Sequence, residues 1–230
     1  MPIQRRLLLL LAIGLALCPA SVAANEAGLP FIATIEIEWS DDLTWSGAAD
    51  GAADAVPALA QYGPFRVIDA RNAEMHGVVG TATPAQFAAM LRAWPGLATL
   101  RMIECPGSED DEANLTLARM LRAARIETVV PAGGSVRSGA VELFLAGVRR
   151  RADSRAEFAV HSWRDSLGRE AQDLPPDDPV HREYIEFYRE MGLSEDRARQ
   201  FYALTSSVAF DEALYVAPLH LAAMGLLDVI

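Results

Sequence analysis

Ser138 opens the stretch Ser-Gly-Ala-Val-Glu-Leu-Phe-Leu-Ala-Gly, residues 138–147. The run is apolar except for Glu142, so a helix there is buried on nearly every side. A serine at the mouth of such a helix sits among backbone N–H groups with no intrahelical partner, at the positive end of the helix dipole. A developing oxyanion needs such donors, and the Gly139 N–H is placed to be one. A second donor is expected from the Pro-Gly-Ser turn, at Gly107 or Ser108. His161 lies 23 residues after Ser138 and can take the serine proton as general base. A third group should hold the imidazole, and Asp211, Glu212 and Asp165 offer carboxylates. The chemistry these residue types suggest is acyl transfer through an activated serine.

Composition removes several rivals. All 20 basic residues are arginine, with no lysine anywhere. Schiff-base chemistry, P-loop lysines and serine–lysine dyads each need a lysine amine and are excluded. The formal charge of -11 repels nucleic acid and anionic membrane surfaces. His181 and Glu183, taken with His161, match no standard metal spacing and read as a solvated helix face. Neither a metal nor an organic cofactor is therefore expected. His220 reads as a hydrogen-bonded structural residue. Arg149, Arg150 and Arg151 read as a solvated turn. Arg137 either steers a substrate carboxylate or forms a structural ion pair.

These residues need elements to position them. Residues 31–39 alternate apolar and polar as a half-buried strand does. Residues 40–63 read as a loop, and 65–70 and 76–82 as two strands about a turn at Arg71-Asn72. Thr83 and Pro84 open a helix with Phe87, Met90, Leu91 and Trp94 at helical spacing. A strand over 97–105 is broken by the Pro-Gly-Ser turn, and Ser108 with Asp111 resembles a capping box for the next helix. Strands follow over 126–130 and 157–163, with the Ser138 helix between them. Strands alternating with helices through short connections imply right-handed crossovers and a mainly parallel α/β sheet. The C-terminal third reads as helical, with stripes at Tyr184, Phe187, Tyr188 and Met191 and at Ala198, Phe201 and Tyr202. Functional residues of such sheets gather at the carboxyl ends of strands.

The chain has 230 residues and opens with Arg5 and Arg6, an apolar run from Leu7 to Leu17, and small residues at Ser21 and Ala23. That order is expected of a secretory signal peptide over 1–23, with Ala24 as the alternative cleavage point. The apolar run is too short to span a bilayer. Losing Arg5 and Arg6 takes the charge from -11 to about -13 and leaves Cys105 without an internal disulfide partner. Cys105 itself reads as buried and inert. The expected organisation is the leader, an N-terminal strand and loop extension over 24–64, and one domain over 65–230. The expected location is periplasmic or secreted, away from the membrane once the leader is removed.

Residues 75–228 resemble the ClpP/crotonase superfamily, specifically ClpP-like serine peptidases and their exported bacterial relatives. Those proteins carry a strand ending in Ser-Pro-Gly-Gly; here it is Cys-Pro-Gly-Ser, 105–108. They carry a nucleophilic serine opening a helix that ends in Ala-Gly nine residues later, as Ser138 to Gly147 does. A strand ending in a hydrophobic residue and the catalytic histidine matches Val160-His161. Met224 to Asp228 matches the closing Gly-Leu-hydrophobic-Asp. The resemblance implies a ClpP/crotonase-like fold and an exported serine hydrolase, most simply a peptidase on peptide or protein substrates. It implies Ser138 as nucleophile, His161 as base, Asp211 or Glu212 as orienting acid, and Gly139 with Gly107 or Ser108 as oxyanion hole. It also implies assembly into a homo-oligomer. The alternative is a catalytically inactive relative that kept the fold for binding or assembly.

Overall fold

The computed structural model describes residues 57–230. The expected leader, the strand expected over 31–39 and most of the loop expected over 40–63 lie outside the described residues. Among the described residues, ten strands join in one mixed sheet. Strand β1 (Ala60–Tyr62) pairs antiparallel with β2 (Phe65–Val67), which pairs antiparallel with β3 (Asn72–His76). β1 falls where a loop was expected. β3 begins at Asn72 rather than His76, because Ala73 and Met75 alternate inward there.

From β3 onward the sheet is parallel through β4 (Thr99–Cys105), β5 (Glu127–Val130), β7 (Arg150–Ala152) and β10 (Asp228–Val229). Helices α1 (Thr83–Ala93) and α2 (Asp111–Ala123) make the first crossovers. α1 has Pro84 in its first turn and buries Phe87 and Met90. α2 is capped by Asp110, whose side chain accepts from the Ala113 N–H at 3.0 Å. The Ser108–Asp111 capping box is thus replaced by a cap two residues further on, and Ser108 Oγ instead donates to Asp111 Oδ1 at 2.9 Å. Arg150 and Arg151 lie in β7 rather than a solvated turn, and Arg151 pairs with Glu127 on β5 at 3.1 Å.

The sheet branches at β4. Its first half, Thr99 to Arg101, pairs with β5, while Glu104 and Cys105 pair with β6 (Ser135–Arg137). Residues 131–134, Pro-Ala-Gly-Gly, turn the chain between these partners, closed by the Gly134 N–H donating to Pro131 O at 2.8 Å. β6 in turn pairs parallel with β8 (Glu157–Val160), which pairs antiparallel with β9 (Leu214–Tyr215). Helix α3 (Ala140–Ala146) follows β6 and carries the chain to β7 on the other branch.

Every residue of α3 except Glu142 is buried, as the apolar run predicts. Phe144 packs edge-on against Phe158 of β8 with ring centres 5.0 Å apart, tying helix to branch. Thr128 of β5, fully enclosed, donates to Phe144 O at 2.7 Å and satisfies a carbonyl of the last helical turn. The C-terminal third holds α4 (Pro179–Glu190), α5 (Glu195–Ser206) and α6 (Pro218–Ala223). α4 and α5 meet through Tyr188 against Phe201 and Tyr184 stacked on Tyr202. No helix among the described residues is long and apolar enough to cross a membrane.

Candidate active site

The register of β6 on β8 brings the serine and histidine together. Arg137 pairs with Ala159, and the Ser138 N–H donates to Ala159 O at 2.9 Å. Parallel strands advance together, so the chain leaving β6 at Ser138 runs beside the one leaving β8 at His161. Both side chains line one cleft at the carboxyl edge of this branch, with Gly139, Glu142, Asn114 and Phe210. The cleft encloses about 690 Å³ of empty space, part of it open solvent.

Ser138 has φ of +50°. A non-glycine residue in the left-handed region is uncommon and is held there only by its surroundings. The strain lies at a strand-to-helix turn, the geometry that lifts a nucleophile clear of its own backbone. Gly107, φ +136°, approaches this turn so closely that a Cβ on it would lie 2.9 Å from Ser138 Cβ and 3.2 Å from Ser138 Oγ. Only glycine meets both the backbone angle and the space. Gly139 is crowded too: a Cβ there would meet Ser108 Oγ at 2.5 Å. Ser108 therefore lies against Gly139. Asn114 donates through Nδ2 to Gly139 O at 2.7 Å and pins the start of α3.

His161 Nδ1 lies 2.7 Å from the Ser162 carbonyl oxygen. A carbonyl can only accept, so Nδ1 carries a proton, and in the neutral imidazole Nε2 is the nitrogen with the lone pair. That is the tautomer a general base requires. The ring also packs edge-on against Phe210, centres 4.8 Å apart. Arg164 lies over the Phe210 ring, 4.1 Å from its centre, and ion-pairs with Asp211 and Glu170. Glu170 accepts from the Phe210 N–H at 2.8 Å.

The sequence reading looked for a carboxylate on the imidazole, and the structure puts a backbone carbonyl there. Asp211 is exposed and engaged by Arg164, and Glu212 is exposed outside the cleft lining. Asp165 is turned to Arg169, whose N–H groups hold its carboxyl below the usual carboxylate range. No hydrogen bond joins Ser138 Oγ to His161 among the described residues. The two share the cleft without that bond, an arrangement common in ligand-free hydrolases, where such bonds tighten on binding.

The remaining candidates resolve into structural roles. Arg137 donates to Ser135 Oγ at 2.6 Å and pairs with Glu157 and Glu104, so it is an ion pair rather than a free anchor. His181 is more than a solvated face: it accepts from Tyr202 OH at 2.6 Å and donates to Pro175 O at 3.0 Å. Tyr202 in turn accepts from the Trp163 indole N–H at 3.2 Å. Cys105 is fully enclosed, and burial pushes its thiol up to about 12, which makes it inert. No cluster of candidate metal ligands occurs among the described residues.

Sequence reasoning overlooked Glu142 and Asn114. Tyr188 OH donates to Glu142 Oε1 at 3.1 Å, while Glu142 Oε2 and Asn114 Oδ1 are enclosed without a hydrogen-bond partner. Burial pushes the Glu142 carboxyl up to about 7, against the lowering effect of the Tyr188 bond. The one charged residue in an apolar helix was the available signal.

No family model matches the chain, and no curated protein matches it. Several solved structures do. A ClpP1 variant from Listeria monocytogenes is 15% identical, with a TM-score of 0.49, over 70% of this chain and 92% of that one. The catalytic domain of the ClpP protease from Plasmodium falciparum is 14% identical, TM-score 0.47, over 68% and 83%. The 1510-N membrane-bound stomatin-specific protease, in complex with a substrate peptide, is 14% identical, TM-score 0.44, over 70% and 76%. At such identities a likeness speaks to fold alone, and no residue's role is taken from it.

Proposed function

We propose that this chain is an exported serine hydrolase of the ClpP/crotonase type, acting on peptide bonds. One observation carries the reading. Ser138 is held at positive φ in a strand-to-helix turn, with His161, in the tautomer of a base, in the same cleft. Ser138 Oγ attacks the scissile carbonyl carbon as His161 Nε2 takes the hydroxyl proton. The carbonyl oxygen gains the negative charge and is met by backbone N–H groups at Gly139 and at Gly107 or Ser108. The C–N bond breaks as His161 passes its proton to the amine, leaving an acyl-serine. Water, deprotonated by His161, then releases the acid. The Ser162 carbonyl holds the imidazole in place of an acidic third member.

A second reading, a catalytically inactive binding module, is favoured by one feature: among the described residues His161 hydrogen-bonds neither a carboxylate nor Ser138. Labelling with a fluorophosphonate probe separates the two. The wild type is expected to label, with labelling lost in Ser138→Ala and reduced by about 100-fold or more in His161→Ala. A folded wild type that takes no label supports the binding module instead.

A further inference from the structure

The cleft beside Ser138 carries acceptors with nothing to accept from. Asn114 is only 2% exposed, and its Nδ2 must face the Gly139 carbonyl, which cannot donate. That orients the amide and leaves Oδ1 without a donor. Glu142 stands one helical turn after Ser138 with Oε2 equally without a donor. Both side chains line the cleft, and Asp111 lines it as well, whereas no arginine among the described residues does. A buried acceptor left unpaired costs free energy that an entering donor recovers. An enclosed carboxylate oxygen also wants a cation, and the described residues lining the cleft supply no arginine.

We propose that Glu142 and Asn114 form a specificity pocket for a cationic side chain, lysine or arginine, on the acyl side of the scissile bond. This rests on the serine hydrolase reading, since that reading seats the scissile carbonyl at Ser138. Leu115 and Tyr184 line the same space and cover the aliphatic stem of such a side chain. Its terminal N–H groups reach Glu142 Oε2 and Asn114 Oδ1. The soft terminal torsion of a glutamate lets Oε2 turn toward the donor without moving the helix. The chain's net charge of -11 draws basic peptides rather than acidic ones.

The test uses n-butylguanidinium and its neutral analogue n-butylurea, titrated calorimetrically into the full-length protein at a pH where Glu142 is ionised. The cation is expected to bind about tenfold tighter or more than the urea in wild type. That margin should vanish in Glu142→Gln, whose folding is checked by thermal melting. Equal binding of the two probes by wild type overturns the proposal whether or not the variant folds. Retention of the margin in a folded Glu142→Gln overturns it too. Fluorophosphonate labelling of the same wild-type sample keeps the two readings apart. Labelling without cation preference sinks the pocket alone, and cation preference without labelling sinks the hydrolase and with it the acyl-side assignment, leaving a cation site only.

Discussion

At the scale of single residues, Glu142 is the group most out of keeping with its surroundings. It is the one acid in an otherwise buried helix, bonded by Tyr188 and lining the cleft with Tyr184, Asp111 and His161. Burial penalises the charge and pushes its carboxyl up to about 7 from an ordinary 4.5. The sign follows from proton counting. Between pH 4.5 and about 7 the folded chain holds the proton and the unfolded chain has lost it. Stability from this group is therefore full below the lower value and falls as pH rises through the window, by about 3 kcal/mol in all. Glu142→Gln should remove that slope. Denaturant melts at a series of pH values check it, and a slope unchanged in the variant would assign it to another group.

At the scale of elements, the site is two turns pressed together. One follows β4 at Gly107; the other follows β6 at Ser138. Gly107→Ala forces a side chain into the Ser138 contact and a left-handed backbone onto an L residue. A loss of about 1–3 kcal/mol is expected, with fluorophosphonate labelling abolished even where the variant stays folded. Unchanged labelling would show that the two turns are not coupled. The short helix α3 is held from outside itself, by Asn114 at its start and Thr128 at its end. Seven residues cannot form a stable helix alone, so tertiary bonds set the direction in which Ser138 points.

At the scale of the whole molecule, charge and topology act together. With 31 acidic residues against 20 arginines, the field is negative well beyond the cleft. Association with a basic peptide should slow several-fold as ionic strength rises from about 0.01 M to about 0.5 M, while a neutral peptide is little affected. Stopped-flow binding of the two peptides measures this, and equal salt dependence would remove steering from the account. The fold helps by branching at β4, which sets the β6–β8 pair apart from the β5–β7 pair and opens the cleft beside the first.

Ser138 and His161 each stood out in the sequence by a local signal, a helix-opening serine and a strand-ending histidine, and the structure adds that they line one cleft. The parallel α/β class was legible from alternating periods, and α3 from a run with a single polar residue. The short strands β1, β7, β9 and β10 were not, since two or three residues show no periodicity. Nor was β6, hidden behind the Pro-Ala-Gly-Gly turn, although its register on β8 is what juxtaposes the pair. The imidazole's partner lay beyond sequence reasoning for a different reason. Side-chain carboxylates are visible in a sequence, whereas any residue carries a carbonyl, and only the folded chain decides that Ser162 offers its own. The unpartnered oxygens of Asn114 and Glu142 are likewise products of packing. They belong to α2 and α3, which the sequence keeps far apart and the β4 branch brings to one cleft.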